Sequence, residues 1–270
     1  MKPTHLASIV WRNVRQIWRE CRSGALARED VPITNCVHYC GFRYGAGRYN
    51  AYENYITGLA DNVDVGLLRE RFVSFLQYYR PRHFGEALRI ELSTLYPMWH
   101  YPWDDWSMLP DPSYGWLSDP DEVPDILTHF SQIGIPSFRI EQEFYWLHRA
   151  YDRMKQQGYH PERYNSYAQT WKLESSRGNS VHLLLDGNHR ASALHALGVD
   201  TIQAEVKLHV REDAVDHWAG VKRGLFTRSD ALAIFQAYFR DNDPNYSTTD
   251  EPATILADWS LNPKIMVSYQ

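Results

Sequence analysis

Hydrophobic residues change their period several times along the chain, and each change marks an element. Between Val181 and Val206 the sequence reads VHLLLDGNHRASALHALGVDTIQAEV. An apolar run too short for a membrane span breaks at Asp186-Gly187-Asn188. It resumes as a helix over His189 to Leu197, stops at Gly198, and is followed by a second short strand over Thr201 to Val206. The unit is strand, polar turn, helix, strand.

Helical spacing recurs elsewhere. Leu6, Ile9, Val10, Val14, Ile17, Trp18 and Cys21 form one face of a helix over Leu6 to Arg22, with Arg12, Arg15, Arg19 and Arg22 on much of the remainder. Val65, Leu68, Phe72, Phe75, Leu76 and Tyr79 line a second helix over Val63 to Tyr79, which ends before Pro81. Phe84 to Leu92 fits either a short helix or an irregular segment. Ile126 to Phe130 reads as a helical piece, Ser137 to Ile140 as a strand, and EQEFYWLHRAYDRMKQQG, from Glu141 to Gly158, as a long helix. Tyr164 to Ser180 is a polar strand and turn, with Arg177-Gly178-Asn179 leading into the strand that delivers Asp186. Asp213 to Val221 reads as helical. A last helix is capped by Thr227 or Ser229 and has Ala231, Leu232, Ile234, Phe235, Tyr238 and Phe239 on its core face.

Two stretches break this pattern. Tyr96 to Pro124 carries six prolines, four tryptophans and six acids, which excludes a regular helix or central strand. It suits a lid whose Trp99, Trp103 and Trp106 offer stacking faces and whose Asp104 and Asp105 offer metal or hydroxyl contacts. It equally suits a clamp that ties the N-terminal region to the core. Val31 to Asn50 is a loop-and-strand region in which Cys36, His38 and Cys40 alternate. No second Cys or His pair stands at a spacing that would complete a zinc site. The glycines of Gly41 to Asn50 serve a turn better than a phosphate cradle, because no clear strand enters them and no clear helix leaves.

The chemistry concentrates at the turn. Free N–H groups and the dipole at a helix N-terminus favour an anion, and Gly187 lets backbone approach a ligand. Asp186 is suited to hold a metal or accept a proton, His189 to shuttle a proton near neutral pH, and Arg190 to grip phosphate with a planar fork. A purely structural use is also open, with Asp186 capping the helix and His189 and Arg190 tying down carboxylates.

The residues DGNHRASALHALG resemble the signature turn of the ParB/sulfiredoxin superfamily, in which a box at a helix start holds nucleotide phosphates. Within it, Asp186, Gly187, His189 and Arg190 match the D-G-H-H-R pattern of free serine kinases, with Asn188 as the departure. The resemblance covers about Phe138 to Phe239. It implies an α+β fold with a ParB/sulfiredoxin-like core, a small mixed sheet with flanking helices. It also implies phosphates on Gly187, Asn188, His189 and Arg190, a metal on Asp186, and ATP or another nucleotide with Mg2+. A glutamate outside the box serves those kinases as base. Glu143 and Glu141 are the nearest candidates here, and Glu143 is preferred, which makes Asp186, His189 and Glu143 the catalytic set. Sulfiredoxin chemistry needs a cysteine where Asn188 stands. Trp218 to Phe239 resembles a ParB-like subgroup of polysaccharide biosynthesis clusters.

Charge and composition narrow the function. A net charge of -5 and the lack of a clear helix-turn-helix disfavour DNA as a partner. With 270 residues and 44% hydrophobic content the chain can bury a full core. No apolar segment reaches about 18 residues and no signal pattern opens the chain, so a cytoplasmic protein with three reduced cysteines is expected. The arginine-bearing helix at 6–22 suits either peripheral contact with an anionic membrane or docking on its own domain. The expected organisation is a helical, aromatic-rich N-terminal region over 1–125, the core over 126–240 and a polar tail over 241–270. The expected activity is phosphoryl transfer from a nucleotide to a small hydroxylated metabolite, a sugar, polyol or amino acid. The competing expectation is a non-catalytic nucleotide- or anion-binding regulator or scaffold.

Overall fold

The computed structural model describes residues 27–45, 50–78, 81, 83–96, 101–104, 137–164 and 166–240. The helix expected over 6–22, the helical piece at 126–130, most of the aromatic loop and the tail over 241–270 lie outside the described residues.

Five strands form one mixed sheet in an α+β arrangement. They are β1 (Ala27–Pro32), β2 (Cys36–His38), β3 (Ala168–Glu174), β4 (Ser180–Asp186) and β5 (Thr201–Arg211), in the order β1-β5-β3-β4-β2. β3 and β4 are an antiparallel hairpin, β3 runs parallel to β5, β2 parallel to β4, and β1 antiparallel to β5. The near-continuous apolar character of β4 has a direct cause, since both its faces are covered. Val181 and Leu183 join a cluster with Leu173, Val210, Trp218 and Phe235. Leu184 points the other way, into a cluster with Ala168, Ala191, Leu194, Ile202 and Ala204.

The helices are α1 (Ala51–Ala60), α2 (Val65–Tyr78), α3 (Phe84–Leu88), α4 (Ser137–Gln157), α5 (Pro161–Tyr164), α6 (Asn188–Ala196), α7 (Ala219–Lys222) and α8 (Arg228–Ala237). Leu68, Phe72, Phe75 and Leu76 of α2 pack with Tyr55 and Ile56 of α1 and with Ile140, Phe144, Leu147 and Tyr151 of α4. Ala193 of α6 closes that cluster, so α6 lies between the sheet and a helical layer. Thr227 caps α8 by accepting the Asp230 N–H, and Ala231, Ile234, Phe235 and Tyr238 are buried as their spacing predicts.

Several expectations are corrected. Residues 137–140 form the first turn of α4 rather than a strand, because Ile140 belongs to the same 3–4 stripe as Phe144 and Leu147. The helix expected over Asp213 to Val221 is split. A 3-10 turn over Glu212–His217 and the short α7 flank Trp218, whose backbone is extended and whose indole N–H donates to the Arg211 carbonyl. β5 runs five residues past Val206, and its part from Ala204 to Arg211 pairs with β3. Trp103 is buried among Tyr101, Trp171, Trp218 and Phe235, which makes the described part of the aromatic loop a clamp on the sheet rather than a stacking face. Trp99, Trp106 and Asp105 lie outside the described residues. β1 and β2 precede residue 125 yet pair with β5 and β4, so the described N-terminal part and the core share one sheet. No helix among the described residues is long and apolar enough to cross a membrane.

Leu184 joins the sheet to α6 and is fully buried. Leu184→Ala is expected to cost about 2–5 kcal/mol, the range for deleting a buried leucine side chain. Urea titration measures it as a lower midpoint at unchanged slope. A loss within about 0.5 kcal/mol, the range of ordinary surface changes, would show that the joint does not depend on this side chain.

Candidate functional site

β4 ends at Asp186, and α6 starts two residues later. Gly187 makes that junction with φ +115°, a conformation other residues rarely adopt. A Cβ there would lie 2.8 Å from the Cβ of Ala168 on β3. The glycine is therefore required by the close passage of β3 and by the turn itself. No side chain caps α6, and the first backbone bond in it is Ala191 N–H to Gly187 O at 2.8 Å. The N–H groups of Asn188, His189 and Arg190 have no protein acceptor among the described residues.

The side chains at this terminus diverge in use. The Tyr44 hydroxyl donates to Asn188 Oδ1 at 2.9 Å, which holds that amide against Tyr44. Arg190 donates through Nη1 to the Ser166 carbonyl and through Nη2 to Asp186 Oδ2 at 2.9 Å. It thus ties the segment after α5 to the turn. Asp186 is exposed, with 66% of its side chain open to solvent.

His189 has a different partner. Its Nε2 lies 2.8 Å from Glu143 Oε2. Glu143 sits on the buried stripe of α4 formed by Ile140, Phe144 and Leu147, and is 7% exposed. A carboxylate drawn into such a stripe needs a polar partner, and His189 supplies one. With Nε2–H donating to the carboxylate, Nδ1 is left as the ring's acceptor, without a protein partner among the described residues. Glu141, the other candidate acid, is on the exposed face of α4 and pairs with Arg69. The Tyr52 ring packs edge-on to His189, with centroids 5.7 Å apart.

Of the residues named from the sequence, then, Glu143 and His189 are joined, Asp186 and Arg190 are joined, and Asn188 belongs to Tyr44. Sequence reasoning missed Tyr52 and Glu53 because it missed α1, and with them Tyr44, which precedes that helix, and His195 of α6, whose partner Glu53 is on it. The signal was present: Asn50, whose side chain accepts the Tyr52 and Glu53 N–H groups, followed by Tyr52, Tyr55, Ile56 and Leu59 at helical spacing. Glu53 is buried, accepts the Gly45 N–H at 3.0 and 3.1 Å, and has His195 Nδ1 against the same carboxylate.

The possible metal ligands of β2 separate. Cys36 faces the α6 side of the sheet, and burial pushes its thiol up to about 12. Cys40 belongs to the helical cluster, and His38 Nδ1 accepts the Cys40 N–H at 3.1 Å. Among the described residues no three His, Cys, Asp or Glu side chains group as metal ligands. A depression of about 190 Å³ lined by Glu174, Ser175, Ser176 and Asp213 lies at the other end of β3 and β4 from Asp186.

No family model matches the chain, and neither a curated protein nor a solved structure matches it significantly.

Gly187→Ala is expected to lower stability by about 1–3 kcal/mol through backbone strain and the clash with Ala168. In an Ala168→Gly background part of that loss returns, which a double-mutant cycle by urea unfolding resolves; strict additivity would contradict the contact. The buried histidines set a pH dependence. Burial lowers His38 to about 3 and His182 to about 4, from 6.5. Below pH 6.5 the unfolded chain takes up protons that the folded chain refuses. Their stabilising contribution is therefore complete above pH 6.5 and is lost as pH falls toward 4 and then 3. The expected slope is about 1.4 kcal/mol per pH unit for each histidine, and His182→Gln should flatten it by one histidine's share. An unchanged slope in that variant would contradict a neutral buried His182.

Proposed function

We propose that this protein is a nucleotide-dependent phosphotransferase acting on a small hydroxylated metabolite, a sugar, polyol or amino acid, and that its core is of the ParB/sulfiredoxin-like kind. The observation that carries the reading is the Glu143–His189 pair at 2.8 Å, set at the uncapped start of α6. A base oriented by a carboxylate and adjacent to an anion-binding helix terminus is the arrangement that transfer of a phosphoryl group to a hydroxyl asks for.

In this reading the N–H groups of Asn188, His189 and Arg190 hold phosphate oxygens, with the helix dipole adding to them. His189 Nδ1 takes the proton of the acceptor hydroxyl. Glu143 fixes the ring and stabilises the imidazolium that forms. The roles differ from a simple carboxylate base, because Glu143 is buried behind the histidine and reaches the acceptor only through it. Asp186 is a single exposed carboxylate already paired with Arg190. That donor set suits a magnesium ion carried mostly by nucleotide phosphates and water, with Asp186 as its one protein contact. Bound there, the ion would offset phosphate charge. A cytoplasmic location fits the same reading.

The alternative is a non-catalytic nucleotide- or anion-binding regulator or scaffold of a polysaccharide biosynthesis pathway. The Arg190–Asp186 and Arg190–Ser166 contacts favour it, since both brace the turn without any ligand.

Calorimetry with ATP, ADP and CTP, with and without magnesium, followed by turnover assays on sugars, polyols and amino acids, separates the two. Glu143→Gln and His189→Ala are expected to lower kcat by about 10²- to 10⁴-fold. Nucleotide affinity in Glu143→Gln should stay within a few-fold. Magnesium dependence should be lost in Asp186→Asn. Binding without turnover on any acceptor selects the regulator, and absence of nucleotide binding defeats the phosphotransferase and leaves the regulator only as a binder of another anion.

A further inference from the structure

A histidine tied down by one hydrogen bond can still turn. The torsion about the Cβ–Cγ bond of an imidazole has broad wells, so the bond from His189 Nε2 to Glu143 Oε2 at 2.8 Å fixes one point of the ring and leaves it a pivot. The His189 side chain is 28% exposed, so packing encloses it on some sides only. The Tyr52 ring of α1 packs against it, with centroids 5.7 Å apart and planes inclined at 64°. That is the edge-to-face arrangement favoured by the positive rim of one aromatic ring and the negative face of another.

Tyr52 is itself fixed by its surroundings. Its backbone N–H donates to Asn50 Oδ1 at 3.1 Å, within the cap that starts α1. Its ring packs against Phe72 and Phe75 of α2, at centroid distances of 5.2 and 6.5 Å, and against His38 of β2 at 5.5 Å. Burial lowers His38 to about 3, so this neighbour stays neutral while His189 exchanges its proton. The next residue of α1, Glu53, meets His195 of α6. The helix that carries Tyr52 is therefore joined to α6 at a second point, independent of His189. Glu143 holds the imidazole from α4 and Tyr52 meets it from α1, and two contacts from different elements remove the pivot that one leaves.

We propose that Tyr52 is a positioning residue for His189, its ring holding the imidazole so that Nε2–H stays on Glu143 and Nδ1 is kept as the base for the acceptor hydroxyl. This rests on the reading of His189 as the proton acceptor and extends it to the residue that orients the ring. Tyr52 acts through His189 and takes no proton itself. Its aromatic ring carries the role, because the ring makes the contact. Proton transfer depends on such aim, since a base must come within about 2.6–3.2 Å of the hydroxyl it deprotonates. An imidazole free to pivot spends part of its time with Nε2–H off the carboxylate and Nδ1 out of line.

The test uses the full chain labelled with ¹⁵N-histidine, with no ligand added. The His189 signals are assigned by their loss in His189→Ala. At about pH 8.5, above the ordinary imidazole range, the wild type is expected to show His189 as a single Nε2–H tautomer. Tyr52→Leu, which removes the ring, is expected to give ring nitrogens averaged between the two tautomers. Tyr52→Phe, which keeps the ring, should restore the wild-type signals. In turnover, Tyr52→Leu should lower kcat about threefold to tenfold with the KM for ATP within about twofold, and Tyr52→Phe should recover most of the loss. A wild-type His189 already averaged between tautomers overturns the proposal. So does a Tyr52→Leu spectrum like that of the wild type, or a Tyr52→Phe variant that behaves as Tyr52→Leu does. Should Tyr52→Leu not fold, Tyr52→Met, a flexible side chain without a ring, takes its place. Absence of turnover on every acceptor defeats the phosphotransferase reading, and the ligand-free spectra still decide whether Tyr52 sets the ring.

Discussion

The structure depends on one short helix being buried on every side. In α6 the consecutive residues Ala191, Ser192, Ala193 and Leu194 are all at most 1% exposed. A helix with an apolar stripe on one face needs a single partner, whereas one buried all round needs two. The sheet provides one, through Leu184, Ile202 and Ala204, and the layer of α1, α2 and α4 provides the other. Small side chains at 191 to 193 let both approach closely. Ser192 meets the polar cost of its own burial by donating to the Asn188 carbonyl at 3.0 Å. Because β4 must lie under α6, the turn at Asp186-Gly187 sits where the two layers meet the end of the sheet. Packing thus fixes the place of the site.

The same packing sorts the charged residues into two kinds. Glu143 and Glu53 lie on buried faces, and each carboxylate is met by a histidine of α6, His189 or His195. Such pairs hold direction, because a buried charge without its partner is strongly destabilising. Asp186 and Arg190 form a pair of the other kind, in which the carboxylate is mostly in water. Its Coulomb energy is small, and its use is to hold the chain at Ser166 and the turn in register. A carboxylate in that setting is free to change partners, whereas the Glu143–His189 pair is not.

How much of this is legible in the sequence depends on where each signal is stored. The turn, α6 and the hairpin before it can be read because periodicity and glycine placement are local. Glu143 can be singled out by its position on the stripe Ile140, Phe144, Leu147, an acid where a core residue is expected. The partners of the site cannot. Tyr44 and Tyr52 reach Asn188 and His189 of α6 from 144 and 137 residues upstream, and nothing local to FRYG or NAYENY specifies that the two segments meet α6. Residues 137–140 read as a strand because four residues cannot distinguish a strand from a first helical turn. Trp103 reads as either a stacking face of a lid or part of a clamp, because composition alone does not say which side of an aromatic loop meets the sheet.

The uncapped start of α6 is what joins fold to function. Gly187 holds the N-cap position and has no side chain to offer, Asn188 is held by Tyr44, and Asp186 faces Arg190. By contrast α1, α3 and α8 are capped by the side chains of Asn50, His83 and Thr227, whereas the four-residue α7 has no side-chain cap. Capping typically contributes about 1 kcal/mol. Here the two polar side chains that flank Gly187, those of Asp186 and Asn188, are turned to other partners, beside a histidine whose second nitrogen has no protein partner among the described residues. With Gly187 at the N-cap position the first N–H groups of α6 have no side-chain acceptor, which sets this start apart from those of α1, α3 and α8.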